Sequence, residues 1–283
     1  MPIHSGHMPT IPSGHTPRSE PPIQPHRHRE TAESFGVDAE RYDRTRPRYP
    51  QALVDRIVAA APGPDVLDVG CGTGIVGRRF RAAGCTVLGV DPDPRMADWA
   101  HGRGLDVEVA TFEDWDPAGR TFDALVCGQA WHWVDPVAGA AKAARVLRPD
   151  GRLALFWNAA CPEPELAASF AEIHHRLLPD SPAALPTPAD IDRAYTTMCT
   201  HAADGLRAAG GFAEPEQWRL DWRHVYTRDE WLDQVPTIGV YTRLAPDVSA
   251  ELLTALGTAI DAAGGNVPVD YATLTLTTTR EPA

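Results

Sequence analysis

The chain has 283 residues and a formal net charge of −12, with 26 basic residues set against 38 acidic ones. Long polyanions need clustered positive charge, so a nucleic-acid substrate is disfavoured. The five cysteines are odd in number and contain no C-x-x-C pair, which suggests neither a disulfide framework nor a zinc site and fits a reduced, cytoplasmic protein. No apolar run approaches the roughly 18 residues of a membrane span, and the N-terminus lacks a hydrophobic signal core, so no membrane partner is expected.

Residues 1–33 are crowded with Pro, His, Ser and Gly and show no apolar periodicity. They are expected to form a disordered tail, and the histidines there lack the fixed spacing of a metal site, so no metal is expected. Residues 34–283 are expected to form one elaborated domain. Apolar spacing predicts a helix from Gln51 to Ala61, ended by Pro62-Gly63-Pro64. Strands and helices then alternate. Strands are expected at Asp65 to Val69, Thr86 to Val90, Val107 to Ala110, Phe122 to Cys127 and Arg152 to Trp157; helices are expected at Ile75 to Ala83, Pro94 to His101 and, after the Asp135-Pro136 start signal, Val137 to Val146. Such alternation means a parallel sheet. Beyond Asn158, helices at Glu163 to Leu178 and Pro188 to Ala209, joined by a proline-rich loop from Pro179 to Pro186, read as a cap over about 160–210. A strand at Gln217 to Tyr226, a capping box at Thr227-Arg228-Asp229-Glu230, a helix at Ser249 to Ala263 and a strand at Val269 to Thr279 complete the pattern.

The most telling stretch is Val66-Leu67-Asp68-Val69-Gly70-Cys71-Gly72-Thr73-Gly74, a buried strand running into a glycine-rich turn where open parallel sheets bind ligands. Three alternate glycines leave no Cβ in the way of a ligand. A dinucleotide fingerprint counted from Gly70 needs a third glycine at position 75, which is Ile75, so a nicotinamide reading fails on spacing.

Asp68-Val69-Gly70-Cys71-Gly72-Thr73-Gly74 followed by Asp91 resembles motif I and its sequel in class I S-adenosylmethionine (SAM) dependent methyltransferases. Tyr42 to Pro50, Phe122 to Val126, Gln129 to Asp135 and Arg145 to Gly151 extend the likeness to the trans-aconitate methyltransferase-like, type 11 small-molecule subgroup. The resemblance implies an α/β, Rossmann-like fold: a seven-stranded, mostly parallel sheet with helices on both faces and a helical cap. The last two strands would sit at one edge, the final one antiparallel.

It also implies a SAM-dependent methyltransferase of class EC 2.1.1.-, acting on an O or N nucleophile of a small organic acceptor and releasing S-adenosylhomocysteine (SAH). Gly70 and Gly72 would approach the methionine portion of SAM, Asp68 its ammonium and Arg46 its carboxylate, with Tyr42 closing the site. Asp91 would take the ribose hydroxyls, Pro92 and Met96 would add contacts just beyond it, and Phe112 and Glu113 would meet the adenine. Gln129 would orient the SAM head or the acceptor. Core packing explains Phe112 nearly as well. A base is needed only where the acceptor nucleophile loses a proton, and the candidate is His132, whose alternative role is structural. Trp131, Trp133, Asn158, His174 and Tyr241 are candidate acceptor-lining residues, although tryptophans also fill cores. Cys71, Cys127 and Cys161 read as small packed positions rather than as a thiol site. The Asn/Asp-Pro-Pro-aromatic motif and Pro-Cys nucleophile of nucleic-acid methyltransferases are missing, while a non-catalytic SAM-binding module stays open. Oligomeric state, a homodimer included, is not legible.

Overall fold

The computed structural model describes residues 34–179, 181 and 188–282. The tail expected over 1–33 and the loop residues 180 and 182–187 lie outside the described residues. In chain order, α1 (Ala39–Thr45) and α2 (Gln51–Ala60) precede β1 (Asp65–Val69), α3 (Ile75–Ala82), β2 (Thr86–Asp91), α4 (Pro94–His101), β3 (Asp106–Val109) and β4 (Phe122–Gly128). A 3₁₀ turn over Trp131–Trp133 leads to α5 (Pro136–Val146), β5 (Leu147–Pro162), α6 (Pro164–Leu177) and α7 (Pro188–Ala209). The chain ends with β6 (Glu216–Thr227), α8 (Arg228–Gln234), α9 (Pro246–Ala262) and β7 (Asn266–Thr279).

The seven strands form one sheet in the order β3-β2-β1-β4-β5-β7-β6. The pairs from β3 through β5 are parallel, and β7 runs antiparallel between β5 and β6. This is the Rossmann-like methyltransferase arrangement expected from the sequence, with the final strand reversed. Chain order turns back between β1 and β4, and in open α/β sheets the crevice at such a reversal takes the ligand.

Strand alternation assigns the two faces. On β4 and β5, Leu125, Cys127, Leu153, Leu155 and Trp157 pack with Ala140 and Ala143 of α5 and Ala202 and Leu206 of α7. Their neighbours Ala124, Val126, Ala154 and Phe156 pack with Leu53 and Ile57 of α2, Phe80 of α3 and Ala100 of α4. Gly205 lets α7 approach the start of α5, because a Cβ there would stand 2.5 Å from the Pro136 carbonyl oxygen.

Helix starts follow their caps. Asp135 accepts from the Val137 and Ala138 amides at 3.0 and 2.9 Å, with Pro136 in the first turn. Thr227 and Glu230 form the expected capping box.

The two helices expected as a cap take different places. The second half of α7 joins the sheet core through Cys199, Ala202, Ala203 and Leu206. By contrast, α6 presents Leu166, Phe170 and His174 to a separate cluster with α8, α9 and the outer ends of β6 and β7. Polar α1 gave no apolar stripe to read and is held by Asp38, which accepts the Arg41 amide at 2.9 Å. The fifth strand is far longer than its apolar core, Arg152 to Trp157, because β7 pairs with it from Arg152 to Pro162.

Candidate functional site

The glycine turn lies at the carboxyl end of β1 with Gly70, Gly72 and Gly74 at φ +66°, +54° and +81°, a region that disfavours other residues. A Cβ on Gly70 would stand 2.4 Å from the Ala130 Cβ, so the loop after β4 excludes a side chain there. At Gly72 a Cβ would meet no atom of the described residues within 4 Å beyond its chain neighbours; the space beside it is open among them. Asp91, at the end of β2, fixes the turn. Its Oδ2 accepts the Gly72 amide at 2.7 Å and its Oδ1 the Asp93 amide at 2.9 Å. Burial pushes the Asp91 carboxyl up to about 6, against the pull of those two amides.

A cavity of about 390 Å³ opens in front of this turn, within the range of small-molecule sites. Of the residues singled out in the sequence, Tyr42, Gly70, Gly72, Asp91, Pro92, Met96, Phe112, Glu113, Gln129 and Trp133 line it. A smaller cavity of about 60 Å³ adjoins it, where Arg46 and Asn158 join Tyr42, Gly70, Gly72 and Gln129. The Arg46 guanidinium stands 5.1 Å from the centre of the Tyr42 ring. Gln129 adopts φ +57°, unusual for a residue with a side chain, and its Oε1 accepts the Asn158 amide at 3.0 Å across to β5. The ends of β4 and β5 are thereby tied together next to the sheet's reversal between β1 and β4.

Five of the expected residues do not line either cavity. Asp68 alternates onto the α3 face of β1 and is fully buried, with neither carboxylate oxygen in a hydrogen bond among the described residues. Burial pushes its carboxyl up to about 8; the nearby Gly77 amide pulls the other way and the Asp91 charge adds to the rise. Trp131 is a core residue packed with Phe112 and Val134. His132 lies outside both cavities, its Nδ1 accepting the Trp157 indole N–H at 3.4 Å, and burial pushes it down to about 4. In a neutral ring whose Nδ1 accepts, the proton sits on Nε2, so His132 offers a donor where a base needs a lone pair. His174 and Tyr241 are buried against each other, Nδ1 to hydroxyl 3.1 Å, in the α6 cluster.

Other contributors were not legible in the sequence. Phe35 and Asp93 line the larger cavity. Tyr195 of α7 donates to the Asn158 carbonyl at 2.9 Å, and nothing in the pattern of α7 distinguishes it from a packing residue. Lys142, the sole lysine, donates to the carbonyls of Glu113 (2.9 Å) and Trp115. It thus anchors the loop that carries Phe112 and Glu113; its being the one lysine was the available signal. Glu113 itself accepts the Asp135 amide at 2.9 Å.

Among known proteins, an uncharacterised methyltransferase of Mycobacterium bovis is 42% identical over 133 residues, 46% of this chain and 54% of the relative. A ubiquinone biosynthesis O-methyltransferase of Thiobacillus denitrificans is 34% identical over 101 residues, 33% of this chain and 44% of that protein. The chain therefore matches only about half the length of these relatives. A solved structure of a proposed type II methyltransferase from Anaeromyxobacter dehalogenans superposes with a TM-score of 0.60 at 26% identity, over 84% of this chain and 99% of that one. The sequence pattern of the methyltransferase domain matches residues 42–232, and the chain belongs to that methyltransferase-domain family.

Proposed function

We propose that the protein transfers a methyl group from SAM to an oxygen or nitrogen nucleophile of a small organic molecule. The observation that carries this reading is the open space at Gly72 directly beside the Asp91 carboxylate, at the reversal of the sheet. A carboxylate held by two backbone amides keeps lone pairs for a ribose diol, and a bare glycine lets the ligand reach the main chain. Pro92, Met96 and Phe112 supply apolar wall for an adenosine, and Glu113 stands at that end of the cavity. Arg46 in the smaller cavity suits the carboxylate of the amino-acid head, with Tyr42 over it. Asp68 lies under the turn and lines neither cavity, so it is left out of the contacts to the amino-acid head.

When bound, SAM supplies a methyl carbon already activated by its sulfonium, and the rest is alignment and exclusion of water. Gln129 and Asn158, linked across β4 and β5, orient the groups that meet there; Tyr42 and Trp133 keep water out. The acidic chain and the likeness to the trans-aconitate-like subgroup support a small acceptor over a nucleic acid, and the O-methyltransferase relative supports oxygen as the nucleophile. His132 gains no support as the base from its place behind Trp157.

The test is incubation of the full chain with SAM and a metabolite extract, read by mass spectrometry. A small metabolite heavier by one methyl, with SAH formed, supports the reading; retained SAM without product supports a binding module instead.

A further inference from the structure

The Thr273 hydroxyl is fully buried on β7, directly across from Asn158 of β5, and the direction of its hydrogen bonds is set by its partners. The Trp222 indole, which only donates, gives its N–H to Thr273 Oγ1 at 2.9 Å, so the hydroxyl proton goes to Asn158 Oδ1 at 2.7 Å. The Asn158 amide therefore turns its oxygen to β7 and its Nδ2 to the Arg48 carbonyl at 3.4 Å, two residues beyond Arg46.

The main chain of Asn158 orients a second amide. Its N–H donates to Gln129 Oε1 at 3.0 Å, and its carbonyl accepts the Tyr195 hydroxyl at 2.9 Å. Gln129 also hydrogen-bonds the Tyr195 hydroxyl, which holds that phenol lower than burial alone would. Because Oε1 is taken by the Asn158 N–H, the end of Gln129 that reaches Tyr195 is Nε2. The result is a closed ring in which Asn158 donates to Gln129, Gln129 to Tyr195 and Tyr195 back to Asn158. Gln129 needs such a grip, since its φ of +57° costs a residue with a side chain about 1–2 kcal/mol.

The ring uses one of the two Nε2 hydrogens of Gln129, and the residue lines both cavities. On the smaller one it stands with Arg46, and no carboxylate is among the described residues that line that cavity. A guanidinium and an amide N–H there suit a group that accepts. We propose that Thr273 and Tyr195 are positioning residues: acting through Asn158, they hold Gln129 with its amide N–H toward the junction of the two cavities, where it joins Arg46 on the carboxylate of the amino-acid head of SAM. This rests on the cofactor reading for the identity of that carboxylate. Thr273 and Tyr195 themselves line neither cavity.

The test compares two ligands by calorimetry in the full chain: SAH, and methylthioadenosine, which keeps the adenosine and the thioether but has no amino-acid head. Tm is measured on the same samples. The wild type is expected to bind both. Thr273→Val, which keeps the shape and removes the hydroxyl, and Tyr195→Phe should each weaken SAH about tenfold, the worth of one hydrogen bond, and leave methylthioadenosine unchanged. Thr273→Ser, which keeps the hydroxyl, should bind SAH as the wild type does. Gln129→Glu keeps an acceptor for the Asn158 amide but loses the donor, and should weaken SAH further with methylthioadenosine again spared. A general loosening of the fold would lower both affinities together. Equal loss for the two ligands in Thr273→Val and Tyr195→Phe, or unchanged SAH affinity in both, overturns the proposal while the cofactor reading stands. A wild type that binds neither ligand overturns the cofactor reading and this assignment with it. If Thr273→Val fails to fold, Tyr195→Phe decides by the same comparison.

Discussion

The Oδ2 of Asp91 accepts the backbone amide of Gly72 at 2.7 Å, so the residue that closes the second strand also shapes the turn that follows the first. One carboxylate therefore sets the turn and faces the cavity beside it.

Gly72 separates ligand space from fold. A Cβ there touches no atom of the other described residues within 4 Å, and its φ of +54° costs an alanine about 1 kcal/mol. Gly72→Ala should lower stability by that small amount, and Gly72→Val, which projects further into the cavity, should abolish SAH binding while the protein stays folded. Calorimetry and a melting curve read both; full SAH affinity in Gly72→Val places the ligand elsewhere.

Asp68 has a carboxyl raised from 3.8 to about 8 by burial. The folded chain then holds a proton that the unfolded chain releases, so this residue's contribution to stability is full below about 4 and is lost as pH rises toward 8. Asp68→Asn should gain Tm over the wild type progressively across that window. Its SAH affinity should change little, because Asp68 lines neither cavity. A variant whose Tm offset is the same at pH 5 and pH 8 contradicts the burial argument.

His132 carries the opposite sign. Its ring is lowered from 6.5 to about 4 by burial, so the unfolded chain takes up a proton that the folded chain refuses, and stability falls as pH drops through that range. His132→Phe should flatten this loss and leave the pH profile of turnover unaltered near neutrality. Loss of turnover in this variant, with fold and SAH affinity intact, would make His132 catalytic after all.

Lys142 ties the loop after β3 to α5 through the carbonyls of Glu113 and Trp115. Lys142→Met keeps the apolar stem but removes these charged hydrogen bonds, at a cost of about 2 kcal/mol. Both Tm and SAH affinity should fall, since Phe112 and Glu113 sit on that loop. A fall in Tm alone would detach the loop from the site.

The parts of this fold that could be read along the chain are those governed by local rules. The strand at Asp65 to Val69 and the helix at Pro94 to His101 fall where the alternation of strands and helices put them. Motif residues around the turn, from Gly70 to Asp91, converge because they follow successive parallel strands. What could not be read along the chain depends on which way a side chain faces and on what lies opposite. Asp68 sits one alternation step off the cavity side; Trp131 turns into the core on a 3₁₀ turn that no pattern announced. His174 and Tyr241 meet across 67 positions of sequence. The length of β5 was likewise set by its partner β7 rather than by its own residues.

Titration of SAH into the wild type and into Asp91→Ala, by calorimetry, tests the central claim most directly. The account predicts one-to-one binding by the wild type and none by Asp91→Ala, with the variant still folded by its melting curve. A wild type that takes up no SAH, or a variant that binds it unchanged, would contradict it.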